Sequence, residues 1–217
     1  MYWQKQNSIF ILFEGGEGSG KTTQAQLLYG ALKRIGRRVI YNDEPGSTKI
    51  GFKIRSIVMD ADRGEVDPLT EFLLFEVDRS LDFEKNIIPS LEEGIDVVQD
   101  RNFGTTFAYQ GYGRGLIKTE GNLMRLVDKA ARRGVRPDLI FLLDADPRKS
   151  LKRTKQNDTF EQETFVFHRL ARQGFLTQAK ADKKRWVILN ASQPPEVLHQ
   201  KVWEKVSTLL QKKAPTR

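Results

Sequence analysis

The 217-residue chain contains no cysteine, which excludes disulfide bonds and thiolate metal sites. It also lacks any apolar run near the roughly 20 residues that a membrane-spanning helix needs. The polar first eight residues have no apolar core of the kind found in signal peptides. These absences predict a cytoplasmic protein with no membrane segment. Of the only two histidines, His168 and His199 fall on predicted helices away from the strand ends, so neither is expected to be catalytic.

Positive charge is in excess, with 36 lysines and arginines against 28 aspartates and glutamates, a formal net charge of +8. Such a balance is compatible with nucleic acid, an anionic surface or small polyanionic substrates as partners. The basic residues occur in short, separate groups rather than in one run, which is typical of solvated helix ends and faces. We therefore expect that nucleic acid is not the main partner.

Apolar runs alternate with segments of helical periodicity along the whole chain. This pattern predicts an α/β fold, a five-stranded parallel sheet flanked by helices, in a single domain over 1–217 with a core at about 9–210. The predicted strands are 9–13, 38–42, 95–99, 139–143 and 186–189. The predicted helices are 22–35, 49–59, a long one from 69 with a break near Pro89, 116–131, 147–156, 160–181 with a bend near Gly174, and 194–210, while 103–115 mixes a short helix with a glycine-rich loop and 211–217 is a frayed tail.

A glycine-rich loop lies between the first predicted strand and the first predicted helix. Residues 15–22, Gly-Gly-Glu-Gly-Ser-Gly-Lys-Thr, fit the pattern G-x-x-x-x-G-K-[ST], and the flanking strand and helix are the context that this pattern requires. Glycines allow backbone amides to turn toward phosphate oxygens, and the helix N-terminus adds partial positive charge. Lys21 is placed to contact the outer phosphates, and the Thr22 hydroxyl to ligate Mg²⁺. The motif predicts a P-loop NTPase fold that binds ATP.

Polar residues follow other predicted strands as well. Glu44, Asp100, Arg101 and 190–192 come at or just after strand ends, and ligands of such sheets bind at the carboxyl ends of the strands. Arg101 is the best candidate for a second phosphate, because a guanidinium binds phosphate through two parallel hydrogen bonds. A structural Asp–Arg pair at a strand end is the alternative.

Beyond the loop, an ordered set of motifs over about 9–210 resembles the bacterial-type thymidylate kinases, P-loop enzymes that transfer a phosphoryl group from ATP to dTMP with Mg²⁺. The matching segments are 13–23, 44–46, 54–55, 74–75, 78–79, 100–101, 108–111, 137–139, 143–147 and 160–163. The resemblance also implies a homodimer, for which the apolar stripes around Leu73 and Leu126 are candidates, and a short lid at about 152–161.

The resemblance assigns roles to individual residues. It implies catalytic roles for Lys21, Asp100 and Arg101, and a Mg²⁺ site at Thr22 and Asp100. Arg153 is a further catalytic candidate, in place of a family residue that this chain lacks. The ATP-binding residues are Gly15, Gly16, Glu17, Gly18, Ser19, Gly20, Lys21, Thr22 and Thr23. The dTMP-binding residues are Glu17, Glu44, Arg55, Phe75, Arg79, Arg101, Thr106 and Gln110. Within that set, Glu17 would contact the sugar 3′-hydroxyl, Arg55 and Arg101 the phosphate, and Phe75 the thymine ring. Residues 190–193 resemble the loop beside adenine.

Three positions depart from the family pattern. Asp43 replaces an arginine, Asn102 replaces an aromatic residue, and Thr159 stands where this branch carries a lid arginine. Arg153 or Lys155 could supply the missing cation, and Lys152 is near in sequence. Three interpretations therefore stay open: a dTMP kinase, which we favour, a kinase for another nucleoside monophosphate or nucleoside, and a weakly active nucleotide-binding regulatory protein.

Overall fold

A computed structural model describes residues 7–61, 65–154 and 159–214. Within them, five parallel strands form one sheet in the order β2-β3-β1-β4-β5. The strands are β1 (Phe10–Glu14), β2 (Val39–Asp43), β3 (Asp96–Asp100), β4 (Leu139–Asp144) and β5 (Trp186–Asn190). The predicted α/β fold with a five-stranded parallel sheet is confirmed, and each strand boundary lies within one residue of its prediction.

Helices cover both faces of the sheet. They are α1 (Lys21–Arg34), α2 (Lys49–Asp60), α3 (Pro68–Asp82), α4 (Ile88–Glu92), α5 (Phe103–Thr106), α6 (Gly121–Ala131), α7 (Pro147–Ser150), α8 (Phe165–Ala181) and α9 (Pro195–Lys213). Wider, π-helical turns occupy Phe83–Ile87 and Phe107–Gly113, and 3₁₀ turns occupy Leu116–Lys118 and Leu151–Arg153. None of the helices in the described ranges is long and apolar enough to cross a membrane.

Four of the predicted helices differ from the structure. Pro89 does not break the helix that follows α3, because it lies in the first turn of α4, where a proline costs no hydrogen bond. The helix predicted from 160 begins at Phe165, because the Thr164 side chain caps it by accepting from the Phe167 amide. The predicted 147–156 helix gives way to a 3₁₀ turn after Ser150, and its end at 155–156 lies outside the described residues. The predicted 116–131 helix is interrupted between Lys118 and Gly121.

Two apolar layers enclose the sheet. On one face, Ile11 and Phe13 of β1 pack in one cluster with Leu28 of α1 and Val202 of α9. On the other face, Leu12 belongs to a cluster formed largely by β4 and α8. Because parallel strands are buried on both faces, they appear in the sequence as unbroken apolar runs, which explains why the strands were predictable. The sheet thus fixes the positions of the loops at its carboxyl edge.

Candidate active site

The phosphate loop joins β1 to α1 at the carboxyl edge of the sheet. Gly15, Gly18 and Gly20 have positive φ angles of 146°, 64° and 91°, a region that side chains disfavour. A Cβ at Gly18 would also lie 2.1 Å from the Ser150 carbonyl oxygen. The backbone path of the loop therefore requires these glycines. It places the loop amides at the N-terminus of the 14-residue α1, where helices bind anions.

Lys21 folds back over this loop. Its Nζ donates to the Gly16 carbonyl at 3.0 Å, and its side chain is buried. Burial and then the nearby Arg101 lower the pKa of Lys21, while Glu17 and Asp100 act in the opposite direction. A bound polyphosphate would add negative charge to this position and favour the ammonium form.

The predicted magnesium ligands meet beside Lys21. β1 and β3 are neighbours, with Phe13 opposite Asp100, so the end of β3 reaches the start of α1. The Thr22 hydroxyl donates to Asp100 Oδ2 at 2.5 Å. Asp100 Oδ1 is buried and makes no hydrogen bond within the described parts of the chain. A hydroxyl and a carboxylate with an unused oxygen fit Mg²⁺, which binds few protein oxygens and completes its shell with phosphate and water.

A cavity of about 220 Å³ adjoins the loop. It is lined by all eight residues expected to bind dTMP: Glu17, Glu44, Arg55, Phe75, Arg79, Arg101, Thr106 and Gln110. The structure brings these residues together from the loop, β2, α2, α3 and the segment after β3. We call it the acceptor cavity. Tyr109 and Phe160 also line it and were missed as site residues, although both lie inside motifs that carry the family resemblance.

Glu17 connects the phosphate loop to the acceptor cavity. Its carboxylate accepts from Arg101 Nη2 at 2.6 Å and from the Tyr109 hydroxyl at 2.7 Å. Burial raises the pKa of Glu17, but Arg101, Lys21 and the Tyr109 hydrogen bond outweigh burial and lower it to about 2. Arg101 itself has a φ of 66°, an uncommon value for a residue other than glycine. The pair places a fixed anion and a fixed cation where the phosphate loop meets the acceptor cavity.

Arg79 lies deeper, at the centre of a buried acidic group. Its guanidinium pairs with Glu44 and Glu76, donates to the Thr106 hydroxyl at 2.8 Å, and lies 3.9 Å from Asp128. Burial lowers the pKa of Arg79, and Glu44, Glu76 and Asp128 together raise it further than burial lowers it. Four partners therefore hold this arginine inside the fold, where it lines the acceptor cavity.

The remaining acceptor residues are also held by protein partners. Arg55 Nη1 donates to the Pro45 carbonyl at 2.9 Å, and Gln110 Nε2 donates to Glu71 at 2.7 Å. Glu44 accepts from Asn102 Nδ2 at 2.8 Å, and burial raises its pKa well above the usual value. These contacts orient the cavity wall without a ligand.

A second cavity, of about 480 Å³, opens on the other side of the phosphate loop. Lys21, Thr22, Thr23 and Arg153 line it, so the candidate cation Arg153 faces the same space as the loop. Arg153 Nη1 donates to the Ala191 carbonyl at 3.5 Å, within the segment expected beside adenine. Thr159 instead donates its hydroxyl to the Met59 carbonyl at 2.8 Å. Lys155 and Asp158 lie outside the described residues.

Glu14, at the end of β1, was not singled out from sequence. It is fully buried and accepts from the Asn102 amide at 3.1 Å and from the Thr105 hydroxyl at 2.6 Å. Asn102 follows Arg101 directly and Thr105 lies one helical turn later, so Glu14 stabilises the segment that begins at Arg101. Burial raises the pKa of Glu14 to about 7, against the lowering effect of Thr105 and Arg101.

The raised pKa of Glu14 leads to a prediction about the stability of the fold. Unfolding releases the Glu14 proton between the unfolded pKa near 4.5 and the folded pKa of about 7, so the stabilisation present below pH 4.5 is lost as the pH rises toward 7. The measured quantity is the difference in free energy of unfolding between the unmodified protein and the Glu14→Gln variant. We expect this difference to fall by about 3 kcal/mol over this range. Urea unfolding at pH 4.5–8 measures it. A difference that does not vary with pH would contradict the assignment.

Comparison with known proteins shows the family to which the chain belongs. The family model described as "Thymidylate kinase" matches residues 13–202, a span that includes the phosphate loop and every lining residue of the acceptor cavity. The chain belongs to the thymidylate kinase family.

Individual family members are similar over nearly their whole length. The thymidylate kinase of Deinococcus radiodurans is 40% identical over 202 residues, covering 92% of this chain and 96% of the relative. That of Sulfurihydrogenibium sp. is 40% identical over 192 residues, covering 88% and 93%. The crystal structure of thymidylate kinase from Ehrlichia chaffeensis has a TM-score of 0.77 and 31% identity, covering 93% of this chain and 99% of that one.

Within the thymidylate kinase family pattern, the unusual Asn102 has a clear local role. Its side chain donates to Glu44 and accepts from the Phe103 amide at 2.8 Å, so it caps α5 and orients a wall of the acceptor cavity. Asp43, the other departure near this cavity, is exposed at its rim. Neither residue blocks the cavity.

Proposed function

We propose that this thymidylate kinase family member transfers the γ-phosphoryl group of ATP to dTMP, giving ADP and dTDP. The observation that carries the proposal is the Glu17–Arg101 pair, at 2.6 Å, which joins a phosphate-binding loop to a cavity lined by all the expected acceptor residues. No finding favours a different acceptor or a weakly active regulatory protein.

In this proposal the chain acts mainly by positioning and by neutralising charge, as is general for phosphoryl transfer. The loop amides and Lys21 hold the donor phosphates. Arg101 holds the acceptor phosphate, with Arg55 beside the same cavity, so that the two phosphates meet near the Glu17–Arg101 pair. Mg²⁺, held by the nucleotide with Thr22 and Asp100, would neutralise phosphate oxygens and orient them.

The rest of the acceptor cavity would bind the nucleoside. Glu17, kept ionised by its neighbours, can accept from the sugar 3′-hydroxyl and repel a phosphate there. Phe75 offers a ring for thymine, packed against Phe160 with ring centroids 6.0 Å apart. Gln110, Thr106 and Arg79 lie where the base edge would reach.

The direct test is to incubate the protein with ATP, Mg²⁺ and dTMP and to measure ADP and dTDP. We expect both products in equal amounts. Absence of ADP above background, with ATP and dTMP shown to bind, would contradict the proposal and favour a regulatory nucleotide-binding protein.

We propose that Arg153 takes the role of the family's lid arginine, whose position Thr159 occupies in this chain. Removing a cation that stabilises the transferring phosphoryl group lowers rates by large factors, so we expect Arg153→Ala to lower kcat by about 100-fold with little change in the KM for dTMP. The exposed neighbour Lys152 provides the control, since Lys152→Ala should retain nearly full activity. Equal rates for the two variants would show that another group performs this role.

We also propose that the chain forms a homodimer through α2, α3 and α6. Large apolar side chains are exposed along these adjacent helices, including Phe52 at 64%, Ile57 at 55%, Val77 at 50% and Leu126 at 67%. Several large apolar side chains exposed on neighbouring helices are typical of an interaction site.

A charge placed in this surface should separate the subunits, because a carboxylate buried at an apolar interface stays unpaired. We expect Leu126→Glu to be monomeric by light scattering where the unmodified chain is dimeric. Ile35→Glu, which changes an apolar residue that is 53% exposed at the end of α1, should remain dimeric. A monomeric unmodified chain would contradict the proposal.

A further inference from the structure

A large cavity of about 580 Å³ lies apart from the phosphate loop. It sits beside the amino ends of β4 and β5, between α6 and the C-terminal end of α8, whereas the phosphate loop lies at the carboxyl ends of the strands. None of the residues expected to bind ATP or dTMP lines it. We call it the basic cavity, and its lining residues include Phe103, Arg125, Lys129, Arg132, Arg136 and Trp186.

The cavity has an aromatic wall. Trp186 packs edge-on against Phe103, with ring centroids 6.2 Å apart, and Phe107 and Ile140 extend the apolar surface. The Arg132 guanidinium lies over the Phe103 ring, 4.5 Å from its centroid. Trp186 and Phe107 are buried, at 6% and 8% exposed, whereas Phe103 and Arg132 are half-buried. A planar ring would therefore stack on the guanidinium of Arg132 above Phe103.

The lining of the cavity also carries more positive charge than its acidic residues neutralise. Its lining contains five cations, Arg125, Lys129, Arg132, Arg136 and Arg185, and two anions, Asp128 and Asp182. Arg132 pairs with Asp128, and Arg185 pairs with Asp182. Arg125, Lys129 and Arg136 are exposed, and the described residues supply no ion-pair partner for any of the three. An excess of three positive charges therefore borders the aromatic wall.

We propose that the basic cavity is a second nucleotide-binding site, which takes a nucleoside polyphosphate with its base on Arg132 above Phe103 and its phosphates on Lys129, Arg136 and Arg125. The volume lies within the range of small-molecule sites. A nucleoside triphosphate supplies both chemical parts that the cavity matches, a planar ring and three or more negative charges.

Two contacts connect this site to the acceptor cavity. Asp128, which lines the basic cavity, lies 3.9 Å from Arg79. Phe103 follows Asn102, whose side chain holds Glu44. A base that stacks on Arg132 and draws it away from Asp128 leaves that carboxylate to compete for Arg79, and Arg79 lines the acceptor cavity. Occupation of the basic cavity is therefore expected to weaken binding of the acceptor and to leave the phosphate loop unchanged.

Binding is tested with the reaction site filled. The protein is saturated with a bisubstrate compound in which adenosine and thymidine are joined by five phosphates, and fluorescent N-methylanthraniloyl-ATP is then titrated. We expect one saturable binding event that weakens by at least about tenfold in the Lys129→Ala/Arg136→Ala double variant, because two charge-assisted contacts are lost. Lys205→Ala, at an exposed position of α9 outside the cavity, should bind as the unmodified chain does.

The required chemistry is tested with competing compounds. Unlabelled ATP should displace the fluorescent nucleotide, whereas inorganic tripolyphosphate and adenosine should displace it only at far higher concentrations. Equal displacement by tripolyphosphate would overturn the nucleotide assignment. Absence of binding to the saturated protein, or unchanged affinity in the double variant, would overturn the site itself. These outcomes do not depend on phosphoryl transfer.

The effect on acceptor binding rests on the proposed function and has its own readout. As ATP is raised well above saturation of the phosphate loop, we expect the KM for dTMP to rise about fivefold, the lower end of usual coupling between sites. The double variant should show a constant KM. A KM that rises equally in both proteins would overturn the connection between the two cavities.

Discussion

Lys21→Ala is expected to lower kcat by at least about 1,000-fold, the largest effect on activity among the single substitutions considered, because the lysine neutralises charge on the transferring phosphoryl group. The loop contains no arginine, and Thr159 supplies no cation, so few other charges can compensate. Lys21 is buried in the loop and donates to Gly16, which holds its ammonium group where the proposal puts the donor phosphates.

Initial rates with ATP, Mg²⁺ and dTMP measure this effect. Lys33→Ala is the matched control, since Lys33 is an exposed lysine on the same helix, α1, and we expect its activity to be nearly unchanged. Both variants should show similar thermal unfolding. Activity of Lys21→Ala within about tenfold of the unmodified protein would contradict the assigned role, since removal of even one stabilising donor commonly costs more.

Arg79→Met is expected to have the largest effect on stability. Removing one member of a buried ion pair leaves an uncompensated charge and costs about 3–5 kcal/mol. The Arg79 guanidinium forms ion pairs with Glu44, Glu76 and Asp128 at the same time. Methionine fills similar space but carries no charge. We expect a loss in this range at pH 8, measured by urea unfolding.

The loss should depend on pH. Burial raises the pKa of Glu76 to about 7 and that of Glu44 well above its usual value, so both carboxyls can take up protons as the pH falls and need the guanidinium less. The destabilisation at pH 5.5 should therefore be smaller than at pH 8. Arg169→Met, at an exposed arginine of α8, should change stability by no more than about 0.5 kcal/mol at either pH. A loss below about 1 kcal/mol for Arg79→Met would contradict the buried network.

The sheet and the position of the site could be predicted because both depend on simple patterns. Buried parallel strands produce apolar runs, and parallel strands must end at one edge. The loop at residues 15–22, Glu44 and Asp100 therefore had to converge there. The family resemblance then supplied the acceptor residues, and all of them line one cavity.

The segment 103–115 was harder to predict, because its glycines indicate a loop. The structure instead shows helical turns from Phe103 to Gly113. A Cβ at Gly113 would lie 2.5 Å from the Phe167 ring, and one at Gly174 would lie 2.7 Å from the Tyr112 ring. These glycines allow the segment and α8 to pack closely, a reason that the sequence of either segment alone cannot reveal. The same packing places Tyr109 against Glu17.

The burial of Arg79 could not be predicted either. An arginine on an amphipathic helix is usually solvated, and its partners Glu44, Thr106 and Asp128 are distant in sequence. Only the packing of α3 against α6 and the end of β2 brings them together. The charge balance of a site is thus a property of the tertiary structure, even where its residues can be identified in advance.

The most direct measurement of the central claim is kcat/KM with ATP for a set of acceptors: dTMP, dUMP, dCMP, dAMP, dGMP and thymidine. The account predicts activity with dTMP that exceeds that with every other acceptor by at least about tenfold, a discrimination that a few base-edge contacts can supply. Higher kcat/KM for any acceptor that lacks thymine, or for thymidine without its phosphate, would contradict it.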